Sequence, residues 1–148
     1  MSWTMTAEER EAFLADLHVG VLSVAAGERQ PPVTAPVWYT YEPGGLMSII
    51  TARESVKARL LRAEGQASLC VQTETPPYAY VSVEGQVVEM EDVDADERLA
   101  LARRYLGREG GDQYIAANPD VDNLTIRIAP QRWRTVDYNK VWGPPAGT

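Results

Sequence analysis

An antiparallel β-barrel with peripheral helices is the fold this sequence predicts. Three observations lead there. Roughly seven strand-like runs alternate with three or four helical stretches along the chain. Short turns, not crossover helices, join neighbouring strands. No βαβ rhythm, internal repeat or linker breaks the pattern, and no Gly-x-Gly-x-x-Gly or Walker loop appears in it.

The elements follow in order. Thr6-Ala-Glu-Glu9 fits a capping box, with Thr6 as N-cap and Glu9 three residues on. The helix it opens is expected to reach about Leu17 and to bury Phe13, Leu14 and Leu17. Residues 20–25 alternate as a strand, and 27–32 form a turn. Residues 33–41 are β-rich, with Val37, Trp38, Tyr39 and Tyr41. Glu42-Pro-Gly-Gly45 turns the chain into a strand over 46–51. A helix over about 54–63 is ended by Gly65. Residues 67–73 form the next strand, which Thr75-Pro-Pro77 breaks. The longest strand covers 78–90, bent or bulged near Gly85. Asp94 caps a helix to about Leu106, with Leu99, Ala102 and Leu106 on one side. Residues 107–120 read as loop, with a turn of helix at 114–117. Residues 124–128 and 133–138 close the barrel as two strands.

Composition narrows the function classes. The 148 residues suit one domain with one sizeable core, and residues 139–148 read as a mobile tail. The net charge of -7 argues against non-specific nucleic-acid binding, which rests on neutralising phosphates. Cys70 and His18 are the only cysteine and histidine, so no internal disulfide forms and no metal site is expected. Cys70 reads as an inert core residue, and His18 as a joint between the first helix and strand. No apolar stretch is long enough to insert in a membrane, and acids stand where a signal peptide would be basic. A cytoplasmic protein is expected.

Against this acidic background one corner is basic. After the strand that ends at Ile50 and Thr51, the chain places Arg53, Lys57, Arg59 and Arg62 within ten residues. A helix N-terminus there offers unpaired N–H groups, so an anionic ligand is one explanation. A solvated helix face is the other. Thr51 and Ser55 could donate hydroxyl hydrogen bonds to phosphate oxygens, or serve only as turn and cap residues.

The ordered set Thr51, Glu54-Ser55, Lys57, Arg59 and then Tyr80-Val-Ser-Val-Glu-Gly85 resembles the split β-barrel flavoproteins that include pyridoxamine 5′-phosphate oxidase. Lys57-Ala-Arg-Leu-Leu-Arg62, the aromatics Tyr78 and Tyr80, and Arg132-Trp-Arg-Thr-Val-Asp-Tyr138 look most like the small deazaflavin-dependent branch. The resemblance spans roughly residues 8–138. It implies a mainly β, α+β fold: a six- to seven-stranded antiparallel split barrel of the FMN-binding type. It also implies an oxidoreductase that uses reduced coenzyme F420 to pass a hydride to a small organic acceptor. The alternatives are an FMN-binding flavoprotein of the same fold, and a carrier that binds cofactor without turnover. It further implies a homodimer with cofactor sites at the interface.

By the same resemblance, the strand Pro36, Val37, Trp38 would lie beside the cofactor ring. Ile50, Thr51, Ser55, Lys57 and Arg59 would hold its phosphate end, and Tyr78 and Tyr80 would border the ring. Bland core packing competes for Val37 and for the aromatics. Trp133 is placed to reach the site across the dimer. The chain departs from the oxidase in two places. Val56-Lys57 stands for an adjacent Arg-Lys, and Tyr80 stands where a Gln reaches the flavin. With no substrate-phosphate set for pyridoxal in view, pyridoxamine phosphate oxidase activity itself is not expected. No catalytic residue is identifiable.

Overall fold

A computed structural model describes residues 2–119 and 121–141. The expected mobile tail lies, from residue 142 on, outside the described residues. The elements run α1 (Ala7–Ala15), β1 (Gly20–Val24), β2 (Val33–Val37), β3 (Tyr39–Thr40), β4 (Met47–Ala52), α2 (Val56–Glu64), β5 (Gln66–Gln72), β6 (Ala79–Asp92), α3 (Ala95–Ala117) and β7 (Asn123–Asp137), followed by a 3-10 turn at Tyr138–Lys140. The seven strands form one antiparallel sheet in the order β2-β1-β5-β6-β7-β4-β3. The sheet curls into a half-barrel, as a split barrel does.

Alternation builds the core. In β5 the inward residues Ala67, Leu69 and Val71 are buried, and in β6 so are Ala79, Val81 and Val83. Leu22, Tyr39, Ile49, Ile126 and Ile128 come from the other strands, and Leu14 and Leu61 from α1 and α2. Burying such side chains stabilises by about 1.5–3 kcal/mol each, so the half-barrel interior dominates the stability. Caps set the helix ends as the sequence indicates. Thr6 and Glu9 form the reciprocal capping box, Ser55 caps α2, and Gly65 ends it at φ 70°.

Four local expectations are corrected. Helix α1 stops at Ala15, where Asp16 turns extended (φ -71°, ψ 168°). Leu17 therefore leaves the helical face and is 53% exposed. The two closing strands are a single strand, β7. Its ladder with β6 shifts register between Glu84 and Gly85, and Pro130, which lacks an N–H, sits opposite that bulge. Gly85 is obligatory there, because a Cβ would strike the Ala129 carbonyl. Cys70 faces outward, between the inward Leu69 and Val71, and is half-buried. Burial still pushes its thiol pKa up, which keeps it protonated and unreactive.

The fourth correction concerns the expected loop at 107–120. The chain instead makes a helical hairpin. Gly107 (φ 77°, ψ 170°) reverses the path within α3, and residues 108–117 return along residues 95–106. Contacts far apart in sequence show the return. A Cβ on Gly111 would lie 2.7 Å from the Arg103 amide nitrogen. Arg103 Nε donates to Asp112 at 2.8 Å, and Arg98 donates to the Asn118 carbonyl at 2.9 Å. Gly110 and Gly111 weaken the local helical signal, yet Gly111 is what permits the close packing. The hairpin lies against β4, β7 and the far end of β6, where Arg127 ties Glu97 to Glu89, Glu91 and the Ser48 hydroxyl. Among the described residues, no helix is long and apolar enough to cross a membrane.

Candidate functional site

The link between β2 and β3 positions the site. Val37 and Tyr39 point inward and are buried, so Trp38 between them points out. The Trp38 ring stacks on Tyr105 of α3 (5.0 Å between centroids, 5° between planes) and meets Tyr114 at 5.6 Å. Tyr105 holds this junction in place. Its hydroxyl donates to the His18 carbonyl at 2.6 Å and accepts from the Tyr39 amide at 3.0 Å. Tyr39 is the buried counterpart: its hydroxyl donates to the Leu14 carbonyl at 2.6 Å, and burial pushes its pKa far up. It stays protonated and structural. His18 is structural too, with Nε2 3.0 Å from the Phe13 carbonyl and its ring stacked on Phe13.

Beside Trp38 lies a cavity of about 310 Å³. Of the ten site residues named from the sequence, it brings together Pro36, Val37, Trp38, Ile50 and Lys57. Helix α3 and the start of β7 add Arg98, Leu101, Ala102, Tyr114 and Asn123. Among the described residues, its charged lining is two cations with no carboxylate, in a chain of net charge -7. Neither Lys57 nor Arg98 forms an ion pair with a described residue. Such a lining suits an anionic group, and the Trp38 face and the apolar Ile50, Leu101 and Ala102 suit a flat apolar body beside it.

The other named residues sit around the cavity and do not line it. Thr51 is buried, with its hydroxyl 3.1 Å from the Ser55 hydroxyl, and Ser55 accepts from the Ala58 amide. Both hydroxyls are thus engaged in the turn and cap. Arg59 projects from the exposed face of α2. Arg53, from the same basic corner, is committed elsewhere. It pairs with Asp92 and, at 3.0 Å, with Asp122, and these bonds raise its pKa. Tyr78 is 46% exposed beyond the end of β5, and Tyr80 lies half-buried on the outer face of β6. Trp133 packs inward, edge-on to Tyr41 and under the Arg10 guanidinium at 4.7 Å. Its neighbours Arg132 and Arg134 turn out to Glu84, whose pKa they lower, Arg134 foremost.

Sequence reasoning missed the whole α3 wall. A signal was present: Arg98, Leu101 and Ala102 follow at i, i+3 and i+4 and so share one helix face. Nothing local says that this face meets Trp38. Among the described residues, no group of metal-ligating side chains gathers.

A second cavity of about 530 Å³ lies on the outer sheet face, lined in part by Ser23, Ser68, Glu84, Gly85 and Arg132. The strand register joins the two regions. Pro36, Val21, Cys70 and Ser82 stand side by side across β2, β1, β5 and β6. Thr34, Ser23, Ser68 and Glu84 form the next row.

A curled seven-stranded antiparallel half-barrel flanked by three helices defines a split-barrel protein. The sequence profile of the pyridoxamine 5′-phosphate oxidase family matches residues 6–137, and the chain belongs to that family. Solved structures agree on the fold. A conserved hypothetical protein of Mycobacterium tuberculosis is 23% identical, with TM-score 0.73, 99% of this chain and 94% of that one covered. An F420 reductase is 20% identical, with TM-score 0.67 and coverages of 84% and 94%. An FAD-binding protein of Mesorhizobium loti is 18% identical, with TM-score 0.60 and coverages of 88% and 94%. No curated protein matches the sequence.

Proposed function

We propose that this protein is an oxidoreductase that binds reduced coenzyme F420 and passes a hydride to a small organic acceptor. The observation that carries this reading is the cavity beside Trp38, which Lys57 and Arg98 line with no carboxylate among the described residues. The F420 reductase of similar fold supports the choice of coenzyme. When bound, the deazaflavin supplies the hydride, and the protein supplies position and charge. Lys57 holds the anionic end, with Arg59 and the Thr51 and Ser55 hydroxyls at the same corner. Pro36, Val37 and Trp38 flank the ring, and Ile50 covers its apolar edge.

A cavity of about 310 Å³ is at the lower limit for a small-molecule site. The coenzyme therefore needs a further wall, and a second copy of the chain provides it. The outer-face row that leaves the cavity at Pro36 is apolar through Val21, which is 42% exposed. Tyr78 and Tyr80 on that side border the ring from the partner subunit in this arrangement. Such an uncovered apolar face beside the site suits a homodimer with its sites at the interface.

FMN is the rival coenzyme, because its phosphate satisfies the same two cations. A carrier without turnover is favoured by one observation: among the described residues, Tyr114 is the one ionisable side chain that lines the cavity besides the two cations, and no acid–base pair is formed by them. Titration separates the three. Saturable quenching of F420 fluorescence, with weaker binding of FMN, is the expected result. A protein that ignores F420 and purifies yellow with flavin would replace the coenzyme. Tight F420 binding with no hydride transfer to any acceptor would leave a carrier.

A further inference from the structure

Four of the ten residues that line the cavity come from α3, and there the structure goes beyond the basic corner of α2. The cation that lines the cavity together with Lys57 is Arg98, from the first turns of α3. Arg59, the partner expected from the sequence, is exposed on α2 and does not line the space. We infer that Arg98 is the second cationic arm of this site, and that it and Lys57 together grip the anionic phosphate group of the coenzyme. The inference rests on the reading of the cavity as a coenzyme site, and it adds a residue that the basic corner does not contain.

Three features make Arg98 suited to the task. Its side chain is half-buried and aimed by a hydrogen bond from Nη2 to the Asn118 carbonyl (2.9 Å). A guanidinium has five donors, so one bond to Asn118 leaves others for a phosphate. Two nearby acids are turned to other work: Glu97 pairs with Arg127 at 2.9 Å, and Asp94 caps the helix by accepting from the Glu97 amide, while Asp96 is exposed and does not line the cavity. The hairpin supplies rigidity. Gly107 reverses the chain, Gly111 lets the limbs touch, and Arg103–Asp112 closes them, so Asn118 returns to Arg98 twenty residues later. The pairing also serves specificity. A point charge at Lys57 together with a planar fork at Arg98 prefers a ligand with several oxygens, a phosphate monoester or diester, over a neutral ring system.

FMN and riboflavin differ by one phosphate group, which makes them the probes. Dissociation constants for both are measured by fluorescence quenching on the full chain, for the wild type, Lys57→Gln and Arg98→Gln. The same comparison is made with F420 and its phosphate-free chromophore. Glutamine at 98 keeps a polar N–H donor but carries no charge, and it is two bonds shorter than the Nη2 that reaches the Asn118 carbonyl. Arg29→Gln, in the β1–β2 turn at the far end of β2, matches the change in net charge. The expected result is that Arg98→Gln weakens binding of the phosphorylated probes about tenfold or more, with the phosphate-free probes and the melting temperature unchanged. Arg29→Gln leaves all four constants alone. If Lys57→Gln weakens phosphate binding and Arg98→Gln does not, the arm assigned here is wrong while the site survives. If neither does, the cavity is not the coenzyme site. Should Arg98→Gln melt early, Arg98→Lys decides. It keeps the charge without the fork, and unaltered preference for FMN over riboflavin in both variants overturns the inference.

Discussion

The two cavities of this molecule differ in what their charges already have. The one on the outer sheet face is larger, at about 530 Å³ against 310 Å³, yet its acid and its base satisfy each other. Glu84 lies there with Arg132 at 3.7 Å and Arg134 beside it. The smaller cavity holds Lys57 and Arg98 and, among the described residues, no acid. Size favours the first as a binding site, and unspent charge favours the second. Charge decides, because a paired ion must lose its partner before it can hold a ligand, and that loss offsets the gain.

Substitutions can break this contrast. The largest effect is expected from Lys57→Glu, which puts an acid into the smaller cavity. Affinity for F420 or FMN should fall by roughly 3 kcal/mol, about two decades in Kd, while Arg132→Gln at the larger cavity should leave it within about twofold. Equal losses in the two variants would erase the distinction. Next comes Gly85→Ala, beneath the larger cavity. The added methyl meets the Ala129 carbonyl and the Ile128 side chain, so denaturant titration should show about 2 kcal/mol lost through overpacking. Third is Arg127→Met, which unpins α3 from the sheet. Its guanidinium is 24% exposed, so the loss to denaturant is expected near 1 kcal/mol, discounted for solvent. Coenzyme affinity should fall with it, since Glu97 neighbours Arg98; unchanged affinity would show that the α3 wall needs no such tie.

The smallest effect is on pH dependence at the larger cavity. Glu84 has a pKa lowered from 4.5, by hydrogen bonding to Arg134 and then by the charges of both arginines. A depressed carboxylate contributes stability above its unfolded pKa and loses it as pH falls through the folded one. Glu84→Gln should therefore melt slightly earlier than the wild type at pH 7. The difference should vanish as pH drops from about 4.5 to below the lowered value. A gap between the melting temperatures that persists in strong acid would show that the pair does not act electrostatically.

Much of this architecture was legible in one dimension. The capping box at Thr6, the Ser55 cap, the Gly65 stop and the bulge at Gly85 are local chemistry, written in residues a few positions apart. So is the alternation that buries Leu69 and Val71 in β5 and Val81 and Val83 in β6. These signals depend on backbone geometry, and backbone geometry is short-ranged. They determined the strands, most helix ends and the basic corner. Pairing among distant residues was decided only in three dimensions. Arg53 and Lys57 look alike in sequence, but Asp92 and Asp122 come from β6 and the approach to β7 to claim Arg53 and leave Lys57. Residues 107–117 carry the glycines of a loop, but close packing against Arg103 makes a helical limb of 108–117 and brings Tyr114 to Trp38. Arg98 lines one cavity with Lys57 only because the chain brings α3 to the end of β4 and the start of α2. Charge and packing act through space, and no spacing along the chain encodes which partner will be there.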